Sequence, residues 1–212
     1  SVLMDKWIVA VIRVHAMKTT DPIMKQTVKN NDPSAFVVEV EIKASDWRIK
    51  VSNAESICRT CAIASWDAAE TPISLNLAGR AAEASVILTD DKEMARLNKE
   101  FRTLHGPTNV LAFPGLDGHN LNNLPKAAPV LLGDVVIALG VTEREAREQD
   151  KSLANHLSHL VVHGTLHLLG YDHNTKYALE LMETLEIKVL AGLAIPDPYI
   201  EKTDIHNLHI TE

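Results

Sequence analysis

Three histidines in one short segment constrain the fold of this chain more than any other feature of its sequence. Residues 163–173 read HGTLHLLGYDH, so that His163 and His167 are four positions apart and His173 follows after Gly170. Side chains four positions apart lie one above the other on the same face of a helix. A glycine shortly after the second histidine ends such a helix with a positive φ and turns the chain back, which brings in the third imidazole. The segment is therefore predicted to fold as a helix followed by a tight turn.

Three imidazoles at this spacing are the ligand set of a single metal ion. A Zn²⁺ ion held by three histidines keeps a fourth position for water, which is typical of a catalytic site. The spacing H-x-x-x-H-x-x-G-x-x-H is that of a long zinc-metalloprotease motif, but Gly164 stands where a zinc peptidase has its general-base glutamate. We therefore expect one zinc ion, or another transition metal, bound by His163, His167 and His173, without the base of a peptidase.

The same segment resembles the signature of a known family. Residues 163–173 are similar to the His-Gly-x-Leu-His-Leu-x-Gly-Tyr-Asp-His signature of the YbeY family, bacterial endoribonucleases of rRNA maturation, and the resemblance covers roughly residues 36–200. Further matching segments are Leu97-Asn98, Phe101-Arg102, residues 107–114 (PTNVLAFP), residues 133–138 (GDVVIA) and Asp197-Pro198-Tyr199. The resemblance implies an α+β fold in which helices, including a zincin-like metal helix, cover a small four-stranded mixed sheet.

The resemblance also implies an activity and its partners. It implies a single-strand-specific, metal-dependent endoribonuclease that acts in maturation of the 3′ end of small-subunit (16S) rRNA and in ribosome quality control. The partners are then single-stranded rRNA and the small ribosomal subunit with its proteins, and neither DNA nor a membrane is expected. Two alternatives stay open, a zinc-binding ribosome-assembly factor without catalysis and a zinc peptidase.

Four residues outside the ligand set are candidates for the site. The resemblance puts the family's functional arginine at Arg102, whose guanidinium can clamp the phosphate of a transition state through two parallel hydrogen bonds. The family usually shows Arg-Gly-x-Asp here, whereas this chain has Arg-Thr-Leu-His. Thr108 and Asn109 are candidates to bind a phosphate or a base edge, although turn capping explains them equally well. Asp172 is a candidate for orienting a ligand histidine, our preferred interpretation, or for the missing general base.

Composition agrees with one ordinary domain and limits the contact with RNA. The chain has 212 residues, of which 46% are hydrophobic, enough for one buried core. We expect an N-terminal extension over residues 1–35, a single catalytic domain over 36–200 and a tail over 201–212. A net charge of −7 excludes a protein that coats nucleic acid non-specifically, so that the RNA contact must be local. Neither a membrane-spanning run nor a signal peptide is found, which predicts a cytoplasmic protein.

Apolar periodicity gives the order of the elements. Strands are predicted at residues 36–42, 84–89, 109–113 and 131–139. Helices are predicted over residues 53–69 and 177–191, and others from residues 90–91, 142 and 152 onward.

Three further side chains have interpretations outside the site. Cys58 and Cys61 form a Cys-x-x-Cys without the second pair that a Cys₄ zinc site needs, and we interpret them as reduced, partly buried thiols. His156 lies on the same helix face as the ligands, but about 10 Å from His163 along the axis. We interpret His156 as a hydrogen-bonded or exposed residue that does not bind the ion.

Overall fold

The computed structural model describes residues 36–69, 80–115 and 129–200. Its strands are β1 (Phe36–Ile42), β2 (Ala82–Thr89), β3 (Val110–Pro114) and β4 (Val130–Ala138). Its helices are α1 (Asp46–Lys50), α2 (Ala54–Ala68), α3 (Asp91–Arg102), α4 (Leu139–Glu148), α5 (Leu153–Leu168) and α6 (Lys176–Gly192). The predicted extension 1–35, the tail 201–212 and most of the loop between β3 and β4 lie outside the described residues.

The strands form one mixed sheet in the order β1-β2-β4-β3. β1, β2 and β4 are parallel, and β3 is antiparallel to β4 at the edge. Parallel neighbours need a long crossover, which α2 supplies between β1 and β2. This four-stranded mixed sheet with its helices confirms the predicted α+β class.

The sheet is covered on both faces, because side chains along a strand point alternately to either side. On β4, Val135 and Ile137 belong to the main core, which also contains buried residues of α2, α5 and α6. Val136 and Ala138 belong to a smaller cluster on the other face, together with Met94 of α3. The helices α3 and α5 therefore lie on opposite faces of the sheet.

The predicted metal helix, α5, is the central helix of the main core. Its sequence predicts an apolar stripe, but every residue from 156 to 168 is buried, since α5 packs against the sheet and against α2, α4 and α6. The polar side chains of α5 therefore need partners inside the protein. Even so, neither α5 nor any other helix within residues 36–69, 80–115 and 129–200 is long and apolar enough to cross a membrane.

Caps explain where several helices begin. The hydroxyl of Ser152 accepts a hydrogen bond from the backbone N–H of Asn155 at 3.0 Å, which starts α5 where the sequence predicts it. The N–H of Glu93 donates to Asp90 at 2.8 Å and starts α3 in the same way. The start predicted for α4, Thr142, is too late, because this helix begins at Leu139, directly after β4.

Two further differences concern α1 and α6. The short helix α1 has no counterpart among the predicted elements. On α6 the sequence pattern predicts Leu181 on the inward face, but this side chain is 46% exposed, whereas Glu186 is fully buried. The inward face of α6 thus carries a carboxylate.

Both cysteines are buried free thiols on α2, which agrees with their interpretation as reduced residues. Burial, with a smaller contribution from Cys61, raises the pKa of the Cys58 thiol to about 12. Burial likewise raises the pKa of Cys61 to about 11. A thiol reacts through its thiolate, so neither cysteine is a nucleophile at neutral pH.

Candidate metal centre

The three predicted ligands converge at the end of α5. His163, His167 and His173 each offer one ring nitrogen, and these three nitrogens lie within 4.8 Å of one another. The Nε2 atoms of His163 and His167 are 3.2 Å apart. Gly170 has the predicted positive φ, 91°, and the turn that it makes brings His173 back to the helix. Nε2 of His173 is buried and has no hydrogen-bond partner among the described residues.

Hydrogen bonds determine which nitrogen of each ring faces the shared point. Nδ1 of His167 lies 3.0 Å from the carbonyl oxygen of Tyr171 and donates to it. Nδ1 of His163 lies 2.7 Å from Oε1 of Glu186 and donates to that oxygen. A single proton on either ring is therefore held on Nδ1, so that the two Nε2 lone pairs face each other.

This donor set fits a transition-metal ion. Two lone pairs that face each other repel unless a cation lies between them. Nitrogen ligands at about 2.0–2.1 Å from a tetrahedral zinc ion are about 3.3–3.4 Å apart, close to the 3.2 Å between the Nε2 atoms of His163 and His167. The partnerless Nε2 of His173 offers the third donor.

Burial keeps two of the three imidazoles, His167 and His173, neutral, which a metal ligand requires. Burial, together with the neighbouring His163 and His173, lowers the pKa of His167 to about 3. Burial and then His163 also lower the pKa of His173. At neutral pH protons therefore do not compete with a metal ion for these two rings.

A buried carboxylate that the sequence analysis missed supports the first ligand. Besides its contact with His163, Glu186 has Oε2 at 2.8 Å from Nε2 of His159, and the hydroxyl of Tyr199 donates to the same oxygen. Burial raises the pKa of Glu186, but interaction with His163 and hydrogen bonds from both histidines outweigh burial and hold that pKa below its usual range. The carboxylate is therefore ionised.

Two signals in the sequence could have found this group. His159 is four positions before His163, in the same helical register as the ligand pair. Glu186 lies between Met182 and Val189 on the apolar face of α6, where a charged residue needs a buried partner.

Asp172 interacts with the backbone of the ligand turn. One of its oxygens accepts a hydrogen bond from the backbone N–H of His173 at 2.7 Å, and the other accepts one from the side-chain amide of Asn174. These bonds hold the turn that presents His173. The carboxylate that contacts a ligand ring is Glu186, not Asp172.

The two candidates before β3 are largely occupied by other protein groups. Asn109 is 3% exposed, and its amide donates to Glu145 at 3.0 Å. The same carboxylate oxygen of Glu145 lies 2.9 Å from Nε2 of His156. Of the two interpretations given for His156, hydrogen-bonded or exposed, the first is confirmed, since the ring is hydrogen-bonded to Glu145 and buried. Thr108 is half-buried, with its hydroxyl 3.4 Å from Oδ1 of Asn109.

Arg102 ends α3 near the edge strand β3. The ring of its neighbour Phe101 packs edge-on against Phe113, with the ring centroids 5.3 Å apart. Phe113 is the residue of β3 next to Ala112, which pairs with Val135 of β4. Gly164 of α5 packs against the same Val135. Arg102 thus lies at the end of α3 that packs against the edge strand β3. Burial lowers the pKa of the Arg102 guanidinium, which stays charged at neutral pH.

The loop after Arg102 has a strained start. Thr103 has a φ of 58°, in the left-handed region that favours glycine. The family that the sequence resembles usually has glycine at this position. Leu104 and His105 are exposed, and the amide of Asn98 donates to the carbonyl of Gly106 at 2.8 Å, which ties the loop back to α3.

Packing explains why position 164 has no side chain. A Cβ atom built on Gly164 would lie 2.5 Å from Cγ1 of Val135. The position faces β4, so that a glutamate there would point into the sheet. The general base of a zinc peptidase is therefore excluded here by the close approach of α5 to the sheet.

The fold and this site define an α+β protein with a three-histidine set suited to one metal ion. The sequence model of the family described as Endoribonuclease YbeY matches residues 39–194. The chain therefore belongs to the YbeY family of endoribonucleases.

Two sequence relatives agree with this assignment. The chain is 41% identical over 165 residues to Endoribonuclease YbeY of Paramagnetospirillum magneticum strain AMB-1, an alignment that covers 78% of this chain and 96% of the relative. It is 43% identical over 164 residues to Endoribonuclease YbeY of Rhodopseudomonas palustris strain BisA53, and this alignment covers 77% of this chain and 90% of the relative. A solution structure from Thermotoga maritima is similar at a TM-score of 0.46 and 23% identity, covering 77% of this chain and 99% of that one.

Proposed function

We propose that this chain is a single-strand-specific, metal-dependent endoribonuclease that acts in maturation of the 3′ end of 16S rRNA and in ribosome quality control. Family membership makes it a nuclease that hydrolyses RNA. The observation that carries the metal dependence is the pair of Nε2 atoms that face each other at 3.2 Å. Single-stranded rRNA is the proposed substrate, the small ribosomal subunit with its proteins is the proposed partner, and the cytoplasm is the proposed location.

His163, His167 and His173 would hold the ion. Imidazole nitrogens suit zinc, and also copper, iron and nickel, so zinc is the proposed ion and another transition metal is compatible with the same donors. When bound, the ion supplies Lewis-acid chemistry, since it polarises a phosphoryl oxygen and lowers the pKa of water. Asp172 contributes by holding the turn that presents His173.

Arg102 is the proposed catalytic residue. A phosphodiester gains negative charge in its transition state, and a guanidinium can meet two of its oxygens at once with parallel hydrogen bonds. A lysine has the same charge but lacks the planar pair of donors. Thr108 is kept as a candidate phosphate contact, whereas the amide of Asn109 is used by Glu145.

A single strand is the substrate that the charge and the site favour. A chain with a net charge of −7 does not attract a duplex along a broad surface. A local site with one arginine can instead accept a phosphate between unpaired nucleotides, which a rigid A-form helix does not present.

The test compares Arg102→Ala and Arg102→Lys with the unmodified protein in a time course on a labelled single-stranded RNA fragment. We expect Arg102→Ala to retain its metal and to cleave about 100- to 1,000-fold more slowly, the scale for losing one preorganised donor. Arg102→Lys should recover little of this loss. Arg96→Ala is the matched control, since Arg96 is exposed on the same helix and pairs with Glu93. Cleavage by Arg102→Ala at the unmodified rate would refute the role of Arg102.

Metal analysis separates the proposed function from its alternatives. His167→Ala should lose the ion, so that full metal occupancy in this variant would contradict the ligand set. A metal-loaded protein that binds the small subunit but cleaves no RNA would instead be an assembly factor. Metal-dependent hydrolysis of an unfolded protein, abolished by His163→Ala, would identify a peptidase.

A further inference from the structure

A buried polar group lies directly behind the ligand His163. It consists of Glu186 on α6, His159 on α5 and Tyr199 after α6, and both oxygens of the carboxylate are used within it. A buried carboxylate without partners destabilises a protein strongly. Here it has three donors, and one of them is the ring that would bind the metal.

We propose that Glu186 is a positioning residue, which keeps the proton of His163 on Nδ1 and thereby turns the Nε2 lone pair toward the metal. The proposal rests on the proposed function only in that His163 binds an ion. A neutral imidazole has one ring proton, and the hydrogen bond at one nitrogen decides which nitrogen has the lone pair. Nδ1 of His163 is 2.7 Å from Oε1 of Glu186, so that the proton is held on the side away from His167.

His159 and Tyr199 fix the carboxylate itself. Both donate to Oε2, which leaves Oε1 directed at His163. The ring of Tyr199 also packs edge-on against His159, with the centroids 5.5 Å apart. The backbone N–H of Tyr199 donates to Asp197 at 2.8 Å, and Lys151 donates to the carbonyl of Pro198. The segment after α6 is thus tied to the residues just before α5.

A second metal ion is the competing explanation, because ring nitrogens of His159 and His163 and an oxygen of Glu186 also lie within 4.8 Å of one another. The distances distinguish the two explanations. Ligand atoms that share a tetrahedral zinc ion lie about 3.3 Å apart, as do the facing Nε2 atoms at 3.2 Å. The contacts of Glu186 with the two rings are 2.7 and 2.8 Å, the range of hydrogen bonds.

The first test measures zinc affinity by competition with a chromophoric chelator. Glu186→Gln keeps the shape of the side chain, but one of its two oxygens becomes an NH₂ donor, so that it cannot accept from His163 at one end and from His159 at the other. We expect its zinc affinity to fall about 10- to 100-fold, the usual effect of losing a group that orients a ligand. Tyr199→Phe, which keeps the ring and loses only the hydroxyl, should fall in the same direction by less. Glu180→Gln, an exposed position on the same helix, is the control and should bind zinc as the unmodified protein does.

The second test observes the rings directly by ¹⁵N NMR of the imidazole nitrogens. In the unmodified protein the proton of His163 should be on Nδ1, both without metal and with zinc. In Glu186→Gln this signal should change to a mixture of tautomers. A purely structural role of Glu186 would lower stability and leave the tautomer of His163 unchanged. If Glu186→Gln does not fold, zinc affinity and the tautomer of His163 are both measured on Tyr199→Phe instead.

Each outcome decides between the explanations. Unchanged zinc affinity and an unchanged tautomer in the variants would overturn the proposal while leaving the metal site intact. Binding of two zinc ions by the unmodified protein, and of one by Glu186→Gln, would replace it with the second metal site. Failure of the unmodified protein to bind zinc or any other transition-metal ion would overturn both the metal site and this proposal. Zinc binding with the expected tautomer but no RNA cleavage would refute the proposed function alone.

Discussion

Replacing Gly164 with alanine inserts one methyl group between α5 and β4. The new Cβ would lie 2.5 Å from Cγ1 and 3.1 Å from Cγ2 of Val135, whereas carbon atoms in contact rest about 3.5–4.0 Å apart. Val135 is fully buried, and its branched side chain has little freedom to rotate away. So close a contact falls in the upper part of the range of about 1–3 kcal/mol for overpacking a core. Alanine regains about 1 kcal/mol through its helix propensity. We therefore expect Gly164→Ala to lower the free energy of unfolding by about 1–2 kcal/mol.

Urea denaturation of the metal-free protein measures this effect without interference from the ion. The series is the unmodified protein, Gly164→Ala, Val135→Ala and the double variant. Val135→Ala removes both methyl groups that the new Cβ would meet, so that the double variant should be more stable than the sum of the single changes by about 2–3 kcal/mol, the full cost of the relieved contact. Gly192→Ala is the control, since a Cβ at Gly192 meets no atom within 4 Å.

A stable Gly164→Ala variant would refute the reasoning. If Gly164→Ala unfolds at the same urea concentration as the unmodified protein or a higher one, α5 can move away from the sheet at little cost. Strict additivity in the double variant would show that any loss of stability arises elsewhere than at Val135.

Three further predictions follow from the pKa values and the backbone. Lowering the pH from 7 to 4 should destabilise the metal-free protein, because buried His167 has a pKa of about 3 and stays neutral while the unfolded chain takes up a proton near pH 6.5; an unfolding free energy that is constant over this range would contradict it. Cys58 and Cys61, whose pKa values are about 12 and 11, should react with a disulfide reagent only after unfolding in urea, and rapid labelling of the native protein would contradict their burial. Thr103→Gly should raise the free energy of unfolding by about 0.5–1 kcal/mol, since glycine removes about 1–2 kcal/mol of left-handed strain and loses part of this as backbone entropy; a destabilised variant in urea would show that Thr103 is not strained.

Local sequence patterns predicted the strands and most of the helices. β1 was predicted from the alternation of apolar and charged residues, and its bounds, Phe36–Ile42, match the predicted range. The start of α4 was missed because its cap comes from far along the chain. The backbone N–H of Val141 donates to Asp91 at 3.0 Å, and a contact across 50 residues leaves no trace in the local pattern.

Part of the site could likewise be predicted from the local sequence, whereas the rest depends on the tertiary fold. His163, His167 and His173 lie in one segment with helical spacing, so that their convergence could be predicted without knowledge of the tertiary fold. Glu186 reaches His163 only because α6 packs against α5. The hydrogen bond of Asn109 could not be predicted from the sequence either, because the acceptor of its amide, Glu145, lies on α4.

If the proposed ion binds at His163, His167 and His173, the position of α5 makes metal supply a determinant of the lifetime of the protein. The helix that bears His163 and His167 is in contact with the sheet and with three other helices, so that a state with α5 displaced has lost both the core and the ligands. An ion that binds only the folded state stabilises it by about 2.7 kcal/mol at 100 times its dissociation constant. Starving a cell of the metal should therefore lower the amount of this protein through degradation of unfolded chains, before any loss of specific activity in the molecules that remain.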